Sequence, residues 1–292
     1  AKCRPIPVEQ PVMGTKSAIV FVLITGCSSG IGLHLAQRLQ QEGFCVLATA
    51  RKNNDVQHLI TAGLTAHQLD LDDENSIEQA VVWALEQSNG KLYGLINNGA
   101  YGQTGALEDL PTQALREQFN TNLFGWHHLI RQILPVMLKE NRGRIIQISS
   151  LLGLVALKYR GAYTASKFAL EGYTDTLRLE LRDTSIQVSL IEPGPVRSEF
   201  RSNALTKFRQ YINIENSRHD VIYKQTLQRL QNPKPKNPFT LEPESCLIPA
   251  LHALRSKHAK ARYRVTLPTH VFSILKRLLP TRWLDLLLCR SA

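Results

Sequence analysis

A chain of 292 residues, 43 % apolar and 20 % charged with 17 Gly and 14 Pro, has the composition of an ordinary folded protein, so disordered, collagen-like and repeat classes are excluded. The length accommodates one large α/β domain with additions. The formal charge of +11 is uneven: residues 1–200 are near neutral and the basic excess lies beyond them, so that charge belongs to the last third and not to the fold of the first.

The run Ala18 to Ile24 is apolar and rich in β-branched residues, which predicts a strand buried on both faces of a parallel sheet. Apolar residues at helical spacing follow from Ile31 to Leu39, stopped by Gly43 as a helix C-terminus is. The alternation then repeats: strand at Cys45 to Ala48, helix at about Asp55 to Ala62, strand at Leu64 to Leu69, helix at Ser76 to Gln87, strand at Leu92 to Ile96. A long helix over about Thr112 to Glu140, a strand at Arg144 to Ile148, a helix at Tyr163 to Arg182 and a strand at Ile186 to Ile191 continue it. Strand-then-helix units in series predict an α/β fold, a Rossmann-type doubly wound parallel sheet in a single domain over residues 17–267. Residues 195–240, polar and basic, read as a substrate lid ending in the extended connector Asn232 to Pro238. A helix at Glu244 to Arg255, a strand at Tyr263 to Leu267 and an amphipathic, Leu-rich basic tail over residues 268–292 complete the chain.

Thr25-Gly-Cys-Ser-Ser-Gly-Ile-Gly32 lies between the first strand and helix. Gly26, Gly30 and Gly32 permit a tight turn and close approach to a pyrophosphate, and the helix N-terminus offers free N–H groups to phosphate. The second strand ends in Ala50-Arg51-Lys52, with no acid to take a ribose hydroxyl; a basic residue there favours the 2′-phosphate of NADP(H) over NAD. Tyr163 and Lys167 stand one helical turn apart, a spacing at which the ammonium can stabilise a phenolate. Ser150 follows the strand ending at Ile148, and Asn122 lies inside the long helix. His127 and His128 lack a partner at metal-ligand spacing, so no metal is expected. Trp126 and Phe124 read as core, and Cys27 as a small apolar side chain near the turn.

Taken with Asn97-Asn-Gly-Ala100, Asn122-Leu-Phe-Gly125, Ile148-Ser-Ser150 and Pro193-Gly194 in this order, these segments resemble the short-chain dehydrogenase/reductase family over about residues 17–200. Within it the chain is most similar to bacterial NADP-dependent aldehyde reductases and to hydroxysteroid and retinol dehydrogenases, the former also through Arg262-Tyr-Arg-Val-Thr-Leu267 and Leu275-Lys-Arg-Leu-Leu-Pro280. The resemblance implies a catalytic set of Asn122, Ser150, Tyr163 and Lys167. It implies a cofactor site of Gly26, Ser28, Ser29, Gly30, Ile31, Gly32, Arg51, Asp70, Leu71, Asn98, Tyr163, Lys167, Pro193, Gly194 and Val196. Ser150 would bind the substrate oxygen and Tyr163 would protonate it; Lys167 would hold the nicotinamide ribose, and Asn122 would anchor a proton-relaying water. Two departures stand out. The family's Asn-Asn-Ala-Gly is here Asn97-Asn98-Gly99-Ala100, which puts a methyl group where a glycine usually meets the cofactor. The family's Thr after Pro-Gly is here Ser198, which keeps the hydroxyl.

The expected function is hydride transfer between NADP(H) and an apolar aldehyde or ketone, or the matching alcohol; the apolar segment Leu151 to Leu157 points to a substrate without charge near its carbonyl. The alternative is a non-catalytic NADP(H)-binding regulator on the same fold. Nucleic-acid binding lacks any supporting motif. A homo-oligomer is expected. No apolar run reaches the roughly 18 to 20 residues of a membrane span, the N-terminus lacks a signal-peptide pattern, and five cysteines with no CxxC read as reduced thiols; the expected location is the cytoplasm. The tail could pack on the protein or a second subunit, or lie at the inner membrane surface, where weak, salt-reversible contact with anionic lipid is the most that is expected.

Overall fold

The computed structural model describes residues 19–231 and 238–290; Ala18, most of the connector from Asn232 and the last two residues of the tail lie outside them. Seven parallel strands form one sheet in the order β3-β2-β1-β4-β5-β6-β7. These are β1 (Phe21–Ile24), β2 (Cys45–Ala50), β3 (Thr65–Gln68), β4 (Leu92–Asn97), β5 (Gly143–Ile148), β6 (Ile186–Glu192) and β7 (Arg262–Arg264). Side chains alternate across a strand, and β1 uses both faces: Val22 and Ile24 join one core cluster, Leu23 the other. That is why this strand reads as a continuous apolar run.

Helices α1 (Gly30–Gln41), α2 (Asn53–Thr61), α3 (Glu74–Gln87), α4 (Thr112–Phe119), α5 (Gly125–Lys139), α6 (Gly161–Glu180) and α9 (Leu247–Arg255) flank the sheet. On one face Leu35 and Leu39 of α1 share a core cluster with Val22, Ile24 and Val46 of β1 and β2, and Ala250 and Leu254 of α9 extend it over β5 and β6. On the other, Ile77 of α3, Trp126 and Ile130 of α5 and Leu170 of α6 bury against Leu23, Leu95 and Ile145. Each such fully buried side chain contributes about 1.5–3 kcal/mol. The strand order reverses between β1 and β4, the place where a doubly wound sheet opens a crevice at its carboxyl edge.

Three expectations change. The long helix is broken by a π-turn over Asn120–Phe124, because Asn122 is drawn inward to bond Tyr101 backbone. Phe124, expected in the core, is 55 % exposed, since that same turn rotates it outward. The last strand ends at Arg264, and Leu267 opens a helix, α10 (Leu267–Leu278), with Pro268 in its first turn, a position where proline costs no hydrogen bond.

Residues beyond β6 are more ordered than their polarity implies. Helices α7 (Phe200–Tyr211) and α8 (Asp220–Gln231) share a small core of Ala204, Phe208, Ile212, Tyr223 and Leu230. It docks on the loop after β4 through the Tyr223 hydroxyl, which accepts from the Ala106 amide at 2.9 Å and donates to Asp109. The tail forms α10 and α11 (Thr281–Arg290). Among the described residues no helix is long and apolar enough to cross a membrane.

Candidate active site

The glycine turn folds as its composition requires. Gly26 and Gly30 have φ of +69° and +56°, a region glycine enters without a Cβ penalty. A Cβ on Gly32 would lie 2.2 Å from the Gly26 carbonyl oxygen, so α1 could not start so close to β1 with any other residue. Asn98 bolts this turn to β4: its amide donates to Thr25 Oγ1 at 2.9 Å and its Nδ2 to the carbonyls of Thr25 and Gly26 at 3.0 Å. The exchanged pair is accommodated: a Cβ on Gly99 would come within 3.1 Å of Leu71 Cδ1 and 3.3 Å of the Gly26 nitrogen, so glycine at 99 relieves the crowding, while Ala100 faces the clefts.

Two adjoining clefts open at the carboxyl edge of the sheet. The larger, about 440 Å³, is lined by Gly26, Ser28, Ser29, Gly30, Ile31, Asn98, Ser150, Tyr163, Lys167, Pro193, Gly194 and Val196. The smaller, about 250 Å³, is lined by Arg51, Lys52, Asp70 and Leu71 together with Gly26 and Ser28. Gly32 lines neither; it serves the packing of the turn. The order along the crevice is therefore the glycine turn in the middle, the basic pair at one end and Ser150, Tyr163 and Lys167 at the other. Among the described residues no three His, Cys, Asp or Glu side chains gather as a metal site.

Lys167 is buried, and its Nζ donates to the carbonyl of Ile148 at 2.7 Å. It stands 4.6 Å from the centre of the Trp126 ring and 5.8 Å from that of Tyr163. Burial lowers its pKa to about 7, against the opposing charge of Glu171 one turn further along α6. Burial pushes the Tyr163 phenol up to about 12, opposed by the Ser150 hydroxyl and the charge of Arg160. Ser150 follows β5 in extended conformation, and its Oγ accepts from the Leu152 amide at 3.1 Å.

Asn122 is fully buried and fully bonded. Its Oδ1 accepts from the Tyr101 amide at 3.2 Å, and its Nδ2 donates to the Tyr101 carbonyl at 3.0 Å and to Ser166 Oγ at 3.1 Å. Ser166 Oγ in turn donates to the Tyr163 carbonyl at 2.8 Å. The π-turn thus connects the loop after β4 to the start of α6, in keeping with the frequent placement of such turns at functional sites.

Other side chains reach the site without a sequence signal. Trp126 is core, as expected, but its Nε1 donates to the Gly99 carbonyl at 2.9 Å. Phe200, at the start of α7, meets the Tyr163 ring edge-on at 5.3 Å. Arg160 and Arg201 line the larger cleft. Below the site, buried Glu192 ion-pairs with Arg262 at 3.1 Å, and burial together with the charge of Glu171 raises its pKa to about 7. Cys27 is buried, its Sγ 3.3 Å from the Ile24 carbonyl, and burial raises its pKa to about 12.

The family model described as short chain dehydrogenase matches residues 20–208. An uncharacterized oxidoreductase of Escherichia coli K12, YbbO, is 42 % identical over 267 residues, 91 % of this chain and 93 % of that protein. Human retinol dehydrogenase 8 is 39 % identical over 196 residues, 64 % of this chain and 62 % of that one. Among solved structures, an actinorhodin polyketide ketoreductase with NADPH superposes with a TM-score of 0.68 at 27 % identity, covering 85 % of this chain and 95 % of that one.

Proposed function

Because this chain belongs to the short-chain dehydrogenase family, an oxidoreductase family, we propose that it is an NADP(H)-dependent enzyme that interconverts an apolar aldehyde or ketone and the matching alcohol. The observation that carries this reading is the convergence of Ser150, Tyr163 and Lys167 in one cleft beside Leu151, Leu152 and Leu157.

The residues present suit a nicotinamide dinucleotide. The glycine turn leaves backbone room above the α1 N-terminus, where a pyrophosphate is favoured, and Arg51 and Lys52 face the neighbouring cleft with Asp70. Gly26, Ser28, Ser29, Gly30 and Ile31 would hold the pyrophosphate half, Asp70 and Leu71 the adenosine half, and Asn98, Pro193, Gly194 and Val196 the nicotinamide half; Gly32 secures the turn. Bound there, NADPH supplies the hydride. Ser150 donates a hydrogen bond to the substrate oxygen, and the Tyr163 phenol, protonated at neutral pH, gives that oxygen its proton. Lys167 would hold the nicotinamide ribose and, as an ammonium, stabilise the phenolate that remains. Asn122 is a positioning residue, since its amide is committed to Tyr101 and Ser166. The segment after β6, with α7 and α8, serves as the substrate lid: Phe200 covers Tyr163, and Ser198 lies against Gly30.

The tail supports a peripheral role. Thr269 and Ser273 are its buried positions on α10, while Ile274 is 55 % and Leu278 72 % exposed; on α11 Trp283 is 65 % and Leu286 63 % exposed. An apolar face bordered by Lys276, Arg277 and Arg282 suits weak contact of a cytoplasmic enzyme with an anionic membrane surface.

NADPH oxidation against fatty aldehydes, retinal, steroid ketones and short diones tests the reading. Turnover that disappears in Tyr163→Phe supports it; cofactor binding without turnover of any carbonyl class supports the regulatory alternative instead.

A further inference from the structure

Two guanidinium groups line the larger cleft, and a third, on an exposed residue, stands near them. Arg160 and Arg201 line it beside Tyr163, and the charge of Arg229 acts on both. Arg160 comes from the residue capping α6, Arg201 from the first turn of α7 and Arg229 from the last turn of α8. Among the described residues none of the three lies within ion-pairing distance of a carboxylate. The bond Arg160 does make is to the neutral hydroxyl of Thr104.

Arg262 and Arg178, also partly buried, are paired with carboxylates, whereas buried Arg144 is held by the carbonyls of Gly143, Ser185 and Ser256. Arg262 reaches Glu171, Asp175 and Glu192, and Arg178 reaches Asp175. A guanidinium largely withdrawn from water, as at Arg160, is costly without a counter-charge. The cost is visible at Arg160, where burial and the two neighbouring cations lower its pKa to about 10. The N-terminus of α6 adds positive potential at the same place. An anion in the cleft would remove the repulsion and take charge-assisted, bidentate bonds from these forks. A cofactor's pyrophosphate has the glycine turn at the α1 N-terminus, on another side of the same cleft, and a 2′-phosphate has Arg51 and Lys52 in the smaller cleft.

We infer that the carbonyl substrate carries an anionic group, a carboxylate or phosphate monoester, separated from the carbonyl by an apolar chain, and that Arg160 and Arg201 receive it, with the charge of Arg229 adding to their field. The inference rests on the reductase reading and narrows it: Leu151, Leu152 and Leu157 border the chain and the arginines bind its end. Because Arg160 and Arg201 come from separate elements, the anion would favour the arrangement in which α7 packs by the start of α6.

The test uses the full chain with saturating NADPH, which fills the cofactor's own phosphate sites. The value of kcat/KM is measured for nonanal and for azelaic semialdehyde, which adds a terminal carboxylate to a chain of the same length. Binding of octyl phosphate, octanoate and octanol is measured by titration calorimetry. The semialdehyde is expected to be preferred by about tenfold to a hundredfold, the range of one or two charge-assisted bonds. Octyl phosphate or octanoate should bind tighter than octanol by a similar factor, and the tighter of the two identifies the anion. Arg201→Gln should lower the anionic-to-neutral ratio at least several-fold, and Arg229→Gln, which acts through charge alone, by a smaller factor; because Arg201 is accessible, its variant keeps the test valid should Arg160→Gln fail to fold. Equal efficiency for the two aldehydes, with octyl phosphate no tighter than octanol, overturns the anion site and leaves the reductase reading intact. Octyl phosphate binding that depends on Arg201, with neither aldehyde reduced, overturns the reductase reading and supports the anion site.

Discussion

Lys167 on α6 donates to the carbonyl of Ile148, the last residue of β5, at 2.7 Å. One side chain therefore closes the end of the strand that leads to Ser150 and stands beneath Tyr163 one turn away. Lys167→Ala should lower both turnover and NADPH affinity, and leaving the buried Ile148 carbonyl unsatisfied should cost about 1–3 kcal/mol of stability. Steady-state kinetics, cofactor titration and denaturant unfolding measure the three effects; loss of turnover alone would contradict the double role.

The same lysine sets an expected pH dependence. Burial brings it to about 7 from 10.5, and only its ammonium form can stabilise the developing phenolate. For reduction, kcat/KM should be level below pH about 7 and fall toward tenfold per unit above it, since this parameter reports the free enzyme. The effect on stability has the opposite sign: between about 7 and 10.5 the unfolded chain binds the proton that the folded chain lacks, so this group's contribution to stability rises with pH. A kcat/KM profile level to pH about 9 would remove Lys167 from the mechanism.

Tyr163→Phe deletes the proton donor and leaves the ring against Phe200. Turnover should drop roughly 10²- to 10⁴-fold, the range of a positioned general acid, with NADPH binding nearly unchanged. Near-normal turnover would show that another group supplies the proton.

Arg51 borders the smaller cleft with Lys52. A charge-assisted contact to a 2′-phosphate is worth about 1.5–3 kcal/mol, so NADPH should be preferred over NADH by roughly tenfold to 150-fold in kcat/KM, and Arg51→Ala should abolish most of that preference. Equal efficiency with both cofactors in the unaltered protein is the contrary result.

For the tail, a form ending at Pro280 is the informative truncation. Ending the chain at Pro268 would remove Thr269, whose hydroxyl is 3.0 Å from that of Thr266, under a Gly194 so close that a Cβ there would lie 2.1 Å from Thr266 Oγ1. Loss of α11 should reduce sedimentation with anionic vesicles while activity is retained, and salt should reverse the binding of the full chain. An unchanged bound fraction removes the membrane contact.

By itself the sequence determined what depends on neighbours along the chain. The β-branched run before Ile24, the glycines at 26, 30 and 32 and the spacing of Tyr163 and Lys167 encode strand, turn and helix face locally, so the doubly wound sheet was legible without coordinates. Tertiary structure alone decided the features in which distant segments meet. Phe124 follows every rule for a core residue, yet the π-turn that Asn122 makes to satisfy Tyr101 turns it outward. Trp126 looks like packing and is also a donor to Gly99. Arg160, Arg201 and Arg229 are three ordinary cations in sequence, because desolvation and charge repulsion arise only where the start of α6 meets α7 and α8.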